Sequence, residues 1–184
     1  MKMRRLVFSF LILSVLGLVA CKSERQKAVD QIDRLGVEMF SDSTGMLDQL
    51  KADELIRSYI DFADRFPEDS LAPVFLFRAG DLMMNLSSPS GAVTLFERIR
   101  SAYPDHERAD EALFLKAFVM ENQLGDLDQA RALYTKYLEE YPEGEFADDA
   151  QVCIMNLGKS AEDLIREFEA RQAAAAGDSL QGAE

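Results

Sequence analysis

The sequence predicts an all-α fold, a solenoid of about eight helices stacked in pairs. Three observations carry this. Ala, Leu, Glu, Gln, Lys and Arg dominate the chain, and the alternating Val/Ile/Thr runs that strands need are absent. Pro67, Pro104 and Pro142 fall 37 and 38 residues apart, each directly after an aromatic: Phe66, Tyr103 and Tyr141. Other positions keep the same register. Tyr59, Phe96 and Tyr134 stand seven residues before those aromatics, and Ala72, Ala109 and Ala147 stand five after the prolines. Ala92 and Ala130 precede the last two prolines by twelve, with Leu55 in that place in the first copy. A fixed period across three copies marks a repeat array, in which each unit buries its apolar face against its neighbours.

The elements follow in order. Ala28, Ile32 and Leu35 at helical spacing predict a helix over about 24–39. Ser41 to Gly45 reads as a connector. Leu55, Tyr59, Phe62 and Phe66 then form one buried stripe of a helix over about 46–66, which Pro67 ends. Asp69 or Ser70 caps the next helix, to about Leu86, with Pro73 tolerated in its first turn. Ser87 to Gly91 turns into a helix over about 90–102. Asp105 is expected to cap a helix over about 107–123. Gly125-Asp126 turns into a helix over about 127–140, and Glu143-Gly144 into one over about 145–157. Gly158 suits a C-cap, and Ser160 with Asp163 resembles a capping box for a last helix over about 160–172. Residues 173–184 are small and polar without periodicity, which predicts a disordered tail.

The start of the chain carries a different signal. Lys2, Arg4 and Arg5 precede an uncharged apolar run from Leu6 to Ala20. Fifteen residues fall short of the ~20 that a spanning helix needs, so residues 1–20 read as a secretory signal. Leu18-Val19-Ala20-Cys21 resembles the lipobox of bacterial lipoproteins. That resemblance implies cleavage before Cys21, acylation of its thiol and amine (palmitate among the chains), and a mature domain over 21–172. Lys22, rather than Asp, after the cysteine favours the outer over the inner membrane. The expected address is therefore the periplasmic side of the cell envelope.

In the repeat, the residues resemble the tetratricopeptide repeat (TPR). Leu76 and Gly80, then Ala92, Phe96 and Pro104, match one copy. Leu113 and Ala117, then Gly125, Ala130, Tyr134 and Pro142, match the next. The period of 37–38 exceeds the family's usual 34, and Ile99 and Tyr137 stand where the family often has Ala. The resemblance implies a right-handed α-α superhelix whose first helices line a concave groove. It places Phe77, Asp81 and Asn85 on one rung, Glu111, Phe114, Phe118 and Asn122 on the next, and Val152 and Asn156 on a third. Asparagine amides beside aromatics suit an extended peptide.

Little in the sequence suggests chemistry. No Ser-His-Asp set, phosphate loop or metal-spaced cluster is visible, so no catalytic, cofactor or metal residues are expected. His106, the only histidine, reads as an exposed turn residue. Cys153 lies in the apolar run Val152 to Met155 and is expected to be a buried thiol. Net charge is −13, and without the three cations of residues 1–20 it becomes −16. Such a surface repels phosphate backbones, which argues against nucleic acid. The expectation is a non-catalytic, membrane-anchored interaction scaffold whose partners are envelope proteins or peptide segments, with no small-molecule substrate. Short lipidated repeat chains of this kind resemble the D-type lipoprotein of the β-barrel assembly machine and the repeat domain of the Tol-Pal-associated division coordinator. The alternative is an accessory subunit of an envelope enzyme or of the outer-membrane protein assembly machinery.

Overall fold

A computed structural model describes residues 24–39, 49–86 and 88–181, with side chains up to residue 173. Among the described residues there are eight helices and no strand. They are α1 (24–39), α2 (Gln49–Arg65), α3 (Leu71–Asn85), α4 (Pro89–Ala102), α5 (Ala109–Asn122), α6 (Leu127–Glu140), α7 (Ala147–Asn156) and α8 (Ala161–Gln181). The fold is all-α and TPR-like, as the period predicts. The residues divide into two compact units, one up to Ala112 and one from Leu113, with the division falling within α5. The signal segment 1–20, Cys21 and the 41–45 connector lie outside the described residues.

In the first unit α2 packs on α3 and α3 on α4. The stripe read from the sequence is the buried one: Leu55, Tyr59 and Phe62 are core residues. Phe75 of α3 meets Phe62 edge-on at 4.8 Å and Tyr59 at 5.1 Å between ring centroids. Aromatic pairs at this spacing add ~0.5–1.5 kcal/mol beyond the area they bury. A methyl group on Gly80 would stand 2.8 Å from the fully buried Phe96 ring. Only glycine lets α3 and α4 approach this closely. The Tyr103 hydroxyl donates to the Pro67 carbonyl at 2.9 Å, joining two turns one repeat apart.

Asp69 does two jobs in this unit. Its Oδ1 accepts from the Leu71 amide at 3.0 Å, so Asp69 rather than Ser70 caps α3. The same carboxylate takes the Arg25 guanidinium of α1 in a two-pronged bond. That guanidinium, helped by the Leu71 amide, holds the Asp69 carboxyl below the usual carboxylate range.

Asp105 does not cap α5. The helix starts at Ala109, so Asp105 lies too far upstream, and His106 Nδ1 accepts from the Arg108 amide at 3.1 Å instead. His106 is half-buried rather than exposed.

In the second unit α6 packs on α7. Its core gathers Leu113, Phe114 and Ala117 of α5, Ala130, Tyr134 and Tyr137 of α6, and Ala147 and Ala150 of α7. Gly125 has φ of +69°, a conformation that suits glycine, and the Asp126 carboxylate then caps α6 through the Gln129 amide at 3.0 Å. Gly158, at φ of +80°, ends α7. The expected capping box forms: Ser160 Oγ accepts from the Asp163 amide at 3.1 Å, and Asp163 Oδ2 accepts from the Ser160 amide at 3.3 Å.

The sequence reading ended the last helix at 172 and made 173–184 a disordered tail. Instead α8 continues to Gln181. Ala173 to Ala176 are the strongest helix formers and no proline interrupts them, so propensity extends the helix where amphipathic periodicity has stopped.

Candidate functional site

The predicted groove residues separate into those that face solvent and those that the core has claimed. In the first unit Phe77, Asp81 and Asn85 follow one another at four-residue spacing along one face of α3. Asp81 and Asn85 are exposed. Phe77 is half-buried, with its ring 5.8 Å from Phe96 and the Arg108 guanidinium 4.8 Å from its centroid. Arg108 also pairs with Glu111 at 2.5 Å. The sequence reading missed Arg108, although its place three residues before Glu111 is ion-pair spacing on a helix. Phe77, Arg108 and Glu111 together make a surface that offers an aromatic edge, a half-exposed cation and a carboxylate.

In the second unit Phe114 is a core residue, only 8% exposed. Phe146 stacks on it at 4.8 Å, and Tyr134 and Tyr137 meet it at 5.6 and 6.0 Å. It is therefore not available to hold a peptide side chain, and the expectation that it lines the groove is corrected. Phe118, Asn122 and Val152 are exposed, and Asn156 is half-buried.

The asparagines do not project free amides. Asn85 Nδ2 donates to the Asp81 carbonyl at 2.8 Å and to its carboxylate at 3.3 Å. Asn122 Nδ2 donates to the Phe118 carbonyl at 3.1 Å. Each amide bonds back to its own preceding turn, and a ligand must exchange that bond for its own.

Cys153 is half-buried, where a buried thiol was expected. Burial pushes its thiol up, so thiolate is disfavoured. Beside it the Tyr134 hydroxyl donates to Glu121 Oε2 at 2.8 Å. Burial, then Cys153 and Glu121, raise the Tyr134 phenol far above its ordinary value, so it acts only as a donor. No group of three His, Cys, Asp or Glu side chains that could hold a metal occurs among the described residues, and no described helix is long and apolar enough to cross a membrane. A crevice of about 430 Å³ opens between the turns at Pro67 and Pro104, lined also by Tyr103 and His106.

Helical pairs with a small residue under an aromatic, each closed by an aromatic-proline turn, define a TPR-like repeat protein. Residues 75–106 and 111–144 match the family model of the tetratricopeptide repeat. These stretches contain both copies recognised from Gly80, Phe96 and Pro104 and from Ala117, Tyr134 and Pro142. No curated protein matches the chain. Repeats of this family generally mediate protein–protein or peptide binding and are typically non-catalytic.

Proposed function

We propose that the chain is a lipid-anchored, non-catalytic interaction scaffold on the periplasmic side of the bacterial cell envelope, with the outer membrane as its seat. The two matched repeats carry the scaffold part of this reading. The anchor rests on Leu18-Val19-Ala20-Cys21 behind a short basic and apolar leader. Each buried methylene of an acyl chain contributes ~0.8 kcal/mol, so two or three chains hold a domain of this size at a bilayer. The partner is an envelope protein or an extended peptide segment. It meets the exposed side chains of the first helices: Phe77, Asp81, Asn85 and Glu111 with Arg108 in one unit, Phe118, Asn122, Val152 and Asn156 in the other.

Two measurements test the reading. Cys21→Ser should move the protein from the membrane fraction to the soluble periplasmic fraction, and retention in the membrane refutes the anchor. Crosslinking in intact cells followed by mass spectrometry should recover envelope proteins, and recovery should fall when Phe77, Arg108 and Phe118 are changed to Ala. Recovery of no envelope protein overturns the scaffold assignment.

A further inference from the structure

The repeat register continues into α8 but its burial does not. Leu164 and Phe168 stand 34 residues after Ala130 and Tyr134, so α8 repeats the small-or-aliphatic-x3-aromatic pattern of α6. Phe96 and Tyr134, the aromatics of the two inner copies, are both 0% exposed. Phe168 is 57% exposed, and its neighbour Ile165 58%. What covers the inner aromatic is visible in the second unit. There α7 lays Ala147 and Ala150, with the half-buried Cys153, against the cluster that contains Tyr134. Small residues at three-residue spacing let that helix sit close. An array normally ends in a helix with a polar outer face. Here α8 presents the face that another helix of the α7 kind would cover.

The charges along α8 narrow the occupant. Glu162 and Glu169 lie two helical turns apart on one border of the apolar stripe, both exposed and without an ion-pair partner. On the opposite border Glu167 is already paired, with Lys159 at 2.8 Å. An antiparallel two-fold pairing of α8 with a second copy of itself would bring Glu162 against the other copy's Glu169, like charge against like. A head-to-tail copy would have to offer α1, whose outward residues include Gln26, Asp30, Asp33 and Arg34, with Val37 its one large exposed apolar residue. Neither face of this chain complements the site.

We propose that the Leu164–Phe168 face of α8 docks an amphipathic helix of a partner protein. That helix carries small or aliphatic residues on its buried face and Lys or Arg along the border that meets Glu162 and Glu169. This surface is separate from the first-helix residues assigned above and does not depend on acylation of Cys21.

The test uses the full chain in mild detergent and a synthetic helical peptide of about 16 residues, ~24 Å long. The peptide repeats the α7 spacing, Ala-x2-Ala-x2-Leu, with lysines on one border; its twin has glutamates there. Fluorescence anisotropy should show the lysine peptide binding, and the glutamate twin at least ~10-fold more weakly. Phe168→Glu should weaken the lysine peptide by at least ~30-fold, as loss of a buried aromatic anchor does. The variant also makes the protein more acidic, so mere charge attraction would strengthen binding instead. Because Phe168 is exposed, Phe168→Glu should keep the parent's circular dichroism and midpoint. Absence of binding, or binding unchanged or strengthened by Phe168→Glu, overturns the proposal. So does sedimentation that shows self-association abolished by Phe168→Glu, which would make a second copy the occupant.

Discussion

Helices α6 and α8 carry the same pattern to opposite ends. In α6 the aromatic Tyr134 is sealed beneath α7, its hydroxyl bonded to Glu121. In α8 the matching Phe168 stands in water. The two helices start alike, each with a side-chain cap: Asp126 for α6, Ser160 with Asp163 for α8. Local sequence therefore gives each its helix, and only the following helix distinguishes core from surface. In a repeat array burial belongs to the interface between units rather than to the residue.

The largest test of that contrast is Tyr134→Ala. It removes a fully buried ring and leaves Glu121 without its donor. The expected loss is about 3–5 kcal/mol of unfolding free energy, read from urea denaturation. A loss below ~1 kcal/mol would mean that α7 closes over the gap and that Tyr134 is not the keystone of its unit.

How far the sequence could see follows the same line. The aromatic-proline period, the positions of Ala92, Ala130, Phe96 and Tyr134, and the Ser160–Asp163 box were legible because they depend on spacing along one helix or on the repeat. Phe114 was misread because it lies one period after Phe77, and the two looked equivalent. Phe146, 32 residues further on, stacks over Phe114, whereas Arg108 covers Phe77. No pattern within α3 or α5 announces which cover each ring receives. The length of α8 was missed for the opposite reason. Periodicity was trusted where alanine propensity decides. The matched stretches 75–106 and 111–144 support the repeat reading. Arg108 could have been found from its spacing to Glu111, but nothing local put it over Phe77.

The two caps sharpen the comparison. Asp126→Ala and Ser160→Ala each remove one side-chain acceptor from a helix start, a change of about 1 kcal/mol. The consequences should differ. Helix α6 is locked into the core, so Asp126→Ala should lower the global urea midpoint. Helix α8 has its large apolar side chains in water, so Ser160→Ala should reduce helical ellipticity at room temperature and leave the main transition in place. Equal shifts of the midpoint would show that α8 unfolds together with the core.

The smallest effect is the most telling about α8. Phe168→Ser exchanges a large apolar side chain for a small polar one at a position equivalent to Tyr134. A residue judged by pattern alone would be costly to lose. Its exposure instead predicts a change within ~0.5 kcal/mol, the range of ordinary surface substitutions. Solubility should improve, since an exposed apolar side chain is removed. A loss of 2 kcal/mol or more would mean that Phe168 is covered in solution by a segment of its own chain. The face would then be a closed end of the array rather than an open one.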